Sequence, residues 1–298
     1  MRAIYPKVAV LLATYNGEQY IEDQIISILN QIDVELDIYV RDDGSTDNSN
    51  NILSQYKLPN IKIFNSKEKS SGPANNFLSL IEVVSAEDYD FVSFADQDDL
   101  WFNDKLINGI KSMRDNFSDA YSSNVIAFWD NGKQLLVDKA DPQKMYDFVF
   151  ESSGPGCTFI LSKVLYSDLR QFLTSHHSIK SKIWMHDWFI YAFARGNGYY
   201  WFIDKKPYMF YRQHNSNVVG ANFGLFSIYR RLRLISNGLY KSQCKLIINS
   251  FVKNYPLSFP SDNMIFLNRV KFLFQVKNCR RKFFDRVVLG ALVFFCFF

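Results

Sequence analysis

A chain of 298 residues, 48% apolar and 21% charged, lies in the ordinary globular range and has room for one large domain plus an appendage. Its four cysteines, Cys157, Cys244, Cys279 and Cys296, show no paired spacing, which argues against a zinc knuckle or a disulfide framework and points to a reducing compartment. The net charge of +4 is an average of unlike parts: residues 222–298 hold 13 Lys and Arg against 2 Asp and Glu, a tail of +11 on a body of −7. Nucleic acid and an anionic membrane surface are the usual partners of such a tail, and the acidic body speaks against nucleic acid.

Taken in order, Lys7 to Ala13 is a strand-forming apolar run that ends at the polar Thr14-Tyr15-Asn16-Gly17. It is too short for the apolar core of a secretion signal. Tyr20 to Leu29 has apolar residues at helical spacing. Leu36 to Val40 is a second strand, ending in Arg41-Asp42-Asp43-Gly44-Ser45-Thr46-Asp47, where Ser45, Thr46 or Asp47 is expected to cap a helix running to Tyr56. A short strand at Ile61 to Phe64 and a helix at Pro73 to Val84, with Pro near its first turn, follow. Phe91 to Ala95 then reads as a buried strand that stops at Asp96-Gln97-Asp98-Asp99.

Strands and helices alternating at this pitch predict a mostly parallel sheet covered on both faces, with ligands outside the carboxyl ends of its strands. Thr14 to Asn16, Asp42 to Ser45 and Asp96 to Asp99 would share that edge. Three carboxylates within four residues repel one another unless solvated or bound to a cation, and hard divalent ions prefer oxygen ligands.

Beyond Trp101 a helix is expected from Asp104 to Met113, with strands at Val125 to Trp129 and Thr158 to Leu161 after the Gly154-Pro155-Gly156-Cys157 turn. Met185-His186-Asp187-Trp188 opens a helix closing near Gly196, which puts Asp187 at a helix N-terminus. Tyr199 to Ile203 and Tyr208 to Tyr211 suggest a β-hairpin delivering Arg212-Gln213-His214 into a loop. A boundary is expected near residue 222. Beyond it, Phe223 to Leu239 and Leu267 to Leu292 have the pattern of basic amphipathic helices, and the apolar end from Val287 to Phe298 is too short to span a bilayer.

Ala13-Thr14-Tyr15-Asn16, Asp42-Asp43-Gly44-Ser45-Thr46-Asp47 and Asp96-Gln97-Asp98-Asp99, each following a strand, resemble glycosyltransferase family 2. Phe94 to Trp101, His186-Asp187-Trp188 and Tyr211 to Gly220 are similar to its bacterial rhamnosyltransferase-like branch, which builds polysaccharides and O-antigens. The resemblance runs to about residue 221. It implies an α/β fold of the GT-A type, a Rossmann-like, mostly parallel sheet over residues 1–221; the charge and spacing of residues 222–298 read as a basic helical tail for membrane association, or as a bundle that packs on the body or makes a homodimer.

It further implies an inverting hexosyltransferase that uses Mn2+ or Mg2+. The donor would be a nucleotide-diphosphate sugar, dTDP-rhamnose first and a UDP-sugar second, and the acceptor a lipid-linked saccharide at the inner face of the cytoplasmic membrane. By the same resemblance Thr14, Tyr15, Asn16, Asp42, Asp43, Asp96, Gln97 and Arg212 line the donor site, Asp42 reading the base. Asp98, Asp96 and His214 hold the metal, Asp187 is the catalytic base, and Trp101, Trp188 and His186 face the acceptor. Many relatives have Glu-Asp where this chain has His186-Asp187. The same residues are open to a nucleotide-sugar-binding module without turnover. A nucleotidylyltransferase would want a glycine-rich basic loop, for which Asn16-Gly17-Glu18 is a poor substitute. Adjacent His176 and His177 on a helix do not converge on one ion, and no Lys-Ser/Thr follows Gly154-Pro155-Gly156 to make it a phosphate loop.

Overall fold

The computed structural model describes residues 5–65, 72–214, 238–252 and 266–295. They belong to two compact units. The first comprises Met1–Ala140, Gly154–Ser181 and Tyr199–Ala221, and the second Asp141–Ser153, Lys182–Gly198 and Asn222–Phe298.

The first unit begins with β1 (Lys7–Thr14), α1 (Ile21–Leu29), β2 (Glu35–Asp42), α2 (Ser49–Gln55), β3 (Ile61–Asn65), α3 (Pro73–Val83) and β4 (Phe91–Ala95), the expected alternation. Seven of the eight β1 residues are buried, as befits a strand with neighbours on both sides and layers on both faces. The chain continues through β5 (Leu100–Trp101), α4 (Lys105–Asp115), β6 (Ala120–Ser123), β7 (Val125–Phe128) and β8 (Gln134–Val137). After α5 (Asp147–Phe150) come β9 (Ile160–Ser162), α6 (Lys163–Ser175), α7 (His177–Lys180), α8 (His186–Gly196), β10 (Trp201–Asp204) and β11 (Met209–Arg212).

Seven strands form one sheet in the order β10-β6-β9-β4-β1-β2-β3. β1 runs parallel to β2, with Thr14 opposite Asp42, and parallel to β4, with Leu12 opposite Ala95. Thr14, Asp42 and Asp96 therefore leave three adjacent strands at one edge. β9 is antiparallel to both β4 and β6, so the sheet is mixed. Four strands, β5-β11-β7-β8, make a second small sheet.

Three expectations need correction. β10 and β11 do not form a hairpin: β10 pairs parallel with β6 in the large sheet, and β11 lies between β5 and β7 in the small one. A strand-turn-strand pattern is the same whether the chain folds back on itself or leaves for another sheet. The helix expected at Leu267 to Leu292 is broken into α10 (Phe266–Gln275) and α11 (Phe283–Phe294), with a 3-10 turn at Val276–Asn278. Between them Arg280 and Arg281 turn to the carboxylates of Glu151 and Asp147, and the Arg281 backbone N–H donates to Glu151 Oε1 at 2.6 Å instead of to a helical carbonyl. None of the expected caps holds the N-cap position of α2, which is Asn48 without a side-chain cap bond; Asp47, one residue earlier, accepts the Ser49 N–H at 3.0 Å.

The second unit is helical. α8 packs on α5 and on α9 (Leu239–Phe251), with Trp188 Nε1 donating to Phe148 O at 2.8 Å and Trp184 N to Gln243 Oε1 at 2.8 Å. The segment expected as a helix at Phe223 to Leu239 lies almost wholly outside the described residues, as do residues 215–220 of the late motif. Among the described residues no helix is long and apolar enough to cross a membrane.

Candidate active site

Two loops meet at the carboxyl edge of the large sheet. The first, after β2, is closed locally on Asp42 and fastened to the β1 loop. Asp42 Oδ1 accepts N–H groups from Gly44 at 3.0 Å and Ser45 at 2.8 Å and the Asn50 amide at 3.3 Å, while Oδ2 takes the Ser45 hydroxyl at 2.5 Å. Gly44 sits at φ 80°, a conformation glycine adopts without penalty. Asp43 pairs with Arg41 at 2.9 Å, and Arg41 also donates to Asn76 Oδ1, whose amide reaches Thr14 O at 3.1 Å. Asn16, at φ 49°, is fastened to this loop: its N–H donates to Ser45 Oγ and its side-chain oxygen accepts Thr46 N–H, both at 2.8 Å. Asp42 and Asp43 are thus buried and already hydrogen-bonded.

The second loop, after β4, is held by distant segments. Gln97 Oε1 accepts from Thr14 Oγ1 and from Tyr15 N–H, each at 2.8 Å, and its amide donates to Tyr15 O at 3.2 Å. A side chain at Gly17 would put its Cβ 2.7 Å from Gln97 Oε1, so this clamp requires glycine there. Asp99 N–H donates to Gln24 Oε1 at 2.9 Å, and Asp99 Oδ1 accepts Arg212 N–H at 3.1 Å. Arg212 Nε donates to Asp98 O at 2.9 Å, and its guanidinium lies between the Tyr20 ring, 4.4 Å away, and the Phe128 ring, 4.7 Å away. Two residues on, His214 stacks on Tyr20 and brings Nε2 to 2.6 Å from Asp98 Oδ2.

This last contact tests whether the edge fits a divalent cation. Cis ligands of an octahedral ion with bonds of about 2.1 Å lie about 3 Å apart, so the pair needs to open by only a few tenths of an ångström to share an ion. The donor set, one carboxylate and one imidazole, fits Mn2+ better than Mg2+, which prefers oxygen ligands alone. Asp96 instead belongs to a group with Asp99 and Cys157, whose ligand atoms lie within 4.8 Å of one another. Burial and the neighbouring carboxylates push the Cys157 thiol pKa well up, so it hydrogen-bonds Asp99 as a thiol and is a poor ligand for a hard ion. Burial, then the charges of Asp98 and Asp96, raise the Asp99 pKa.

The Glycosyl transferase family 2 model matches residues 9–172, which span β1, both loops and β9. The chain belongs to glycosyltransferase family 2. The dTDP-rhamnosyl transferase RfbG of Shigella flexneri is 43% identical over 251 residues, covering 82% of this chain and 87% of that protein. The UDP-Glc:alpha-D-GlcNAc-diphosphoundecaprenol beta-1,3-glucosyltransferase WfgD of Escherichia coli is 29% identical over 161 residues, 53% of this chain and 61% of that enzyme. In fold, the chain matches Staphylococcus aureus TarS 1-349 in complex with UDP-GlcNAc with a TM-score of 0.58, at 19% identity, covering 84% of this chain and 68% of that one. The protein is a glycosyltransferase with a GT-A fold.

In this family 2 transferase the remaining expected residues are divided between the two units. Trp101, in the first unit, is 4% exposed, and Lys105 Nζ sits 3.4 Å from the centre of its ring. In the second unit Trp188 is 3% exposed, so neither indole offers an open face to a sugar. Asp187 is buried in the first turn of α8, where its carboxylate accepts Trp188 N–H at 2.7 Å and the helix N-terminus favours its charge. His186 Nε2 is shut off from solvent, and burial pushes its pKa down to about 3, which keeps the ring neutral.

Three residues at this edge carry no motif: Tyr20, Gln24 and Lys105. Lys105 left a trace in the sequence, because it falls on the same helical face as Leu106, Gly109, Ile110 and Met113, where a charge is out of place. Tyr20 and Gln24 read as ordinary surface and core of α1. Only the fold brings them to His214 and Asp99.

Proposed function

We propose that this glycosyltransferase moves rhamnose from dTDP-rhamnose, with inversion, onto a lipid-linked saccharide of a bacterial surface glycan. It does so at the inner face of the cytoplasmic membrane, with residues 222–298 serving membrane association. The observation that carries metal-assisted transfer is the approach of His214 to Asp98 across 116 residues of sequence. The likeness to a dTDP-rhamnosyl transferase over most of the chain supports the donor.

In this reading Asp98 and His214 would hold a divalent cation, which would supply positive charge to the leaving diphosphate. Thr14, Tyr15, Asn16, Asp42 and Asp43 form the wall on which the nucleoside rests, with Asp42 at the base, and Gln97 fixes the relation of the two loops. Asp96 faces the ribose. Arg212 acts by holding the Asp98 loop, since its guanidinium is already between two rings. Asp187 takes the proton of the acceptor hydroxyl as it attacks the anomeric carbon from the side opposite the leaving group.

A panel of dTDP-rhamnose, UDP-glucose, UDP-GlcNAc and GDP-mannose, each with Mn2+ or with a chelator, tests the proposal. Metal-dependent release of dTDP from dTDP-rhamnose, giving a product of inverted anomeric configuration, is expected. Preference for a UDP-sugar would move the chain to the donor class named for the glucosyltransferase relative. Binding without turnover would make it a sugar-nucleotide-binding module.

A further inference from the structure

The outer surface of α10 and α11 breaks the rule that a solvated helix shows water its polar side. Twelve residues between Phe266 and Phe295 are exposed, and all are apolar or lysine. Phe274, Phe283 and Phe284 are 73%, 78% and 69% exposed, with Lys271, Lys277 and Lys282 exposed among them. The other six exposed residues are apolar, two of them phenylalanine. On α6, by contrast, the exposed positions are Lys163, Val164, Ser167, Asp168, Gln171 and Ser175.

This surface is not an unfinished core. The opposite side of the hairpin is already packed: Phe272 is fully buried against Phe150, and Val276, Leu289 and Val293 are buried with it. Phe266 meets Phe294 edge to face, so the two helices run back along one another. Its acid, Asp285, is paired with Arg280 at 3.3 Å, which leaves the outer face cationic.

Phenylalanine interleaved with lysine also distinguishes between partners. Lysine is depleted from protein–protein interfaces, whereas apolar rings rimmed by lysine are the composition of helices that lie in a bilayer interface. With 10 and 12 residues the helices are too short to span, but each is long enough to lie flat.

We infer that the Phe266–Phe295 hairpin is a membrane anchor that lays its phenylalanine–lysine face into an anionic bilayer surface. This deepens the proposal of a lipid-linked acceptor, and rests on that reading for its purpose but not for its test.

The full chain is sedimented with vesicles of phosphatidylcholine, with and without phosphatidylglycerol. Wild type is expected to pellet with the anionic vesicles and to release as salt rises. The double variant Phe283→Ser/Phe284→Ser should bind at least about tenfold more weakly, from the apolar area withdrawn. Each of Lys271→Ala, Lys277→Ala and Lys282→Ala should weaken binding about fivefold on anionic vesicles only. Circular dichroism checks that the variants stay folded. The inference is overturned if wild type stays in the supernatant or if the phenylalanine variant binds as well as wild type. It is equally overturned if light scattering shows a dimer that the variant dissolves while vesicle binding is unchanged, which would make a second copy the partner. Donor turnover, followed in the same samples without vesicles, judges the transferase proposal separately.

Discussion

The loop after β2 and the loop after β4 look alike in sequence, each a strand followed by a run of aspartates, yet their leading carboxylates find partners at very different distances along the chain. Asp42 is satisfied by Gly44, Ser45 and Asn50, all within eight residues of it. Gln97, Asp98 and Asp99 are satisfied by Thr14, Tyr15, Gln24, Arg212 and His214, between 75 and 116 residues away. A loop whose first aspartate is closed locally, and which is tied outward to the neighbouring β1 loop through Asn16, makes a stable wall for a ligand. One tied to three separate segments is a junction, and a change in any of those segments is felt at its carboxylates.

The largest break in the comparison is Asp98→Ala. It removes the carboxylate that meets His214 Nε2 and leaves the β2 loop intact. Sugar transfer should fall on the order of 10³-fold, by the loss of charge stabilisation for the leaving group. Nucleoside diphosphate measured by calorimetry without metal should bind as before. Unchanged metal-dependent turnover would remove Asp98 from the site.

Asp99 offers a finer cut because it accepts the N–H of Arg212, the residue whose side chain holds the Asp98 backbone. Asp99→Leu deletes the acceptor for Arg212 N–H and should loosen the register that sets His214 on Asp98. A drop on the order of 10- to 100-fold in apparent Mn2+ affinity is the usual scale for such supporting contacts. Asp99→Asn keeps an oxygen acceptor and should restore most of the affinity, with kcat at saturating metal close to wild type. If both variants titrate Mn2+ alike, the junction does not depend on Asp99.

The same contrast explains what could be read from the chain. β1 to β4 and their helices were legible because a central parallel strand is apolar along its whole length and the covering helices carry apolar residues at helical spacing. The edge was legible because three polar runs follow three such strands. What stayed hidden depends on which strand leaves its sheet: β11 was expected beside β10, and its true place beside β5 is what brings Arg212 and His214 to the aspartates. The break between α10 and α11 was hidden for a like reason, since Asp147 and Glu151, the partners of Arg280 and Arg281, come from a stretch with no readable pattern.

Lys105 gives the smallest effect on catalysis and the sharpest on stability. It lies beneath the β4 loop, fully buried, and burial pushes its pKa down to about 7 although Cys157 and Asp99 favour the charged form. An unfolded lysine titrates near 10.4. Between about pH 7 and 10.4 the unfolded chain therefore binds a proton that the folded chain does not, and stability rises with pH by up to about 1.4 kcal/mol per unit. Lys105→Met removes this dependence at nearly constant volume. Its stability relative to wild type should grow as pH falls from about 10 to 7 and level off below 7, where both states of the wild-type lysine are protonated. Chemical denaturation at a series of pH values measures the difference. A difference that does not change with pH would mean that Lys105 keeps its charge in the folded protein, held by the Trp101 ring beneath it.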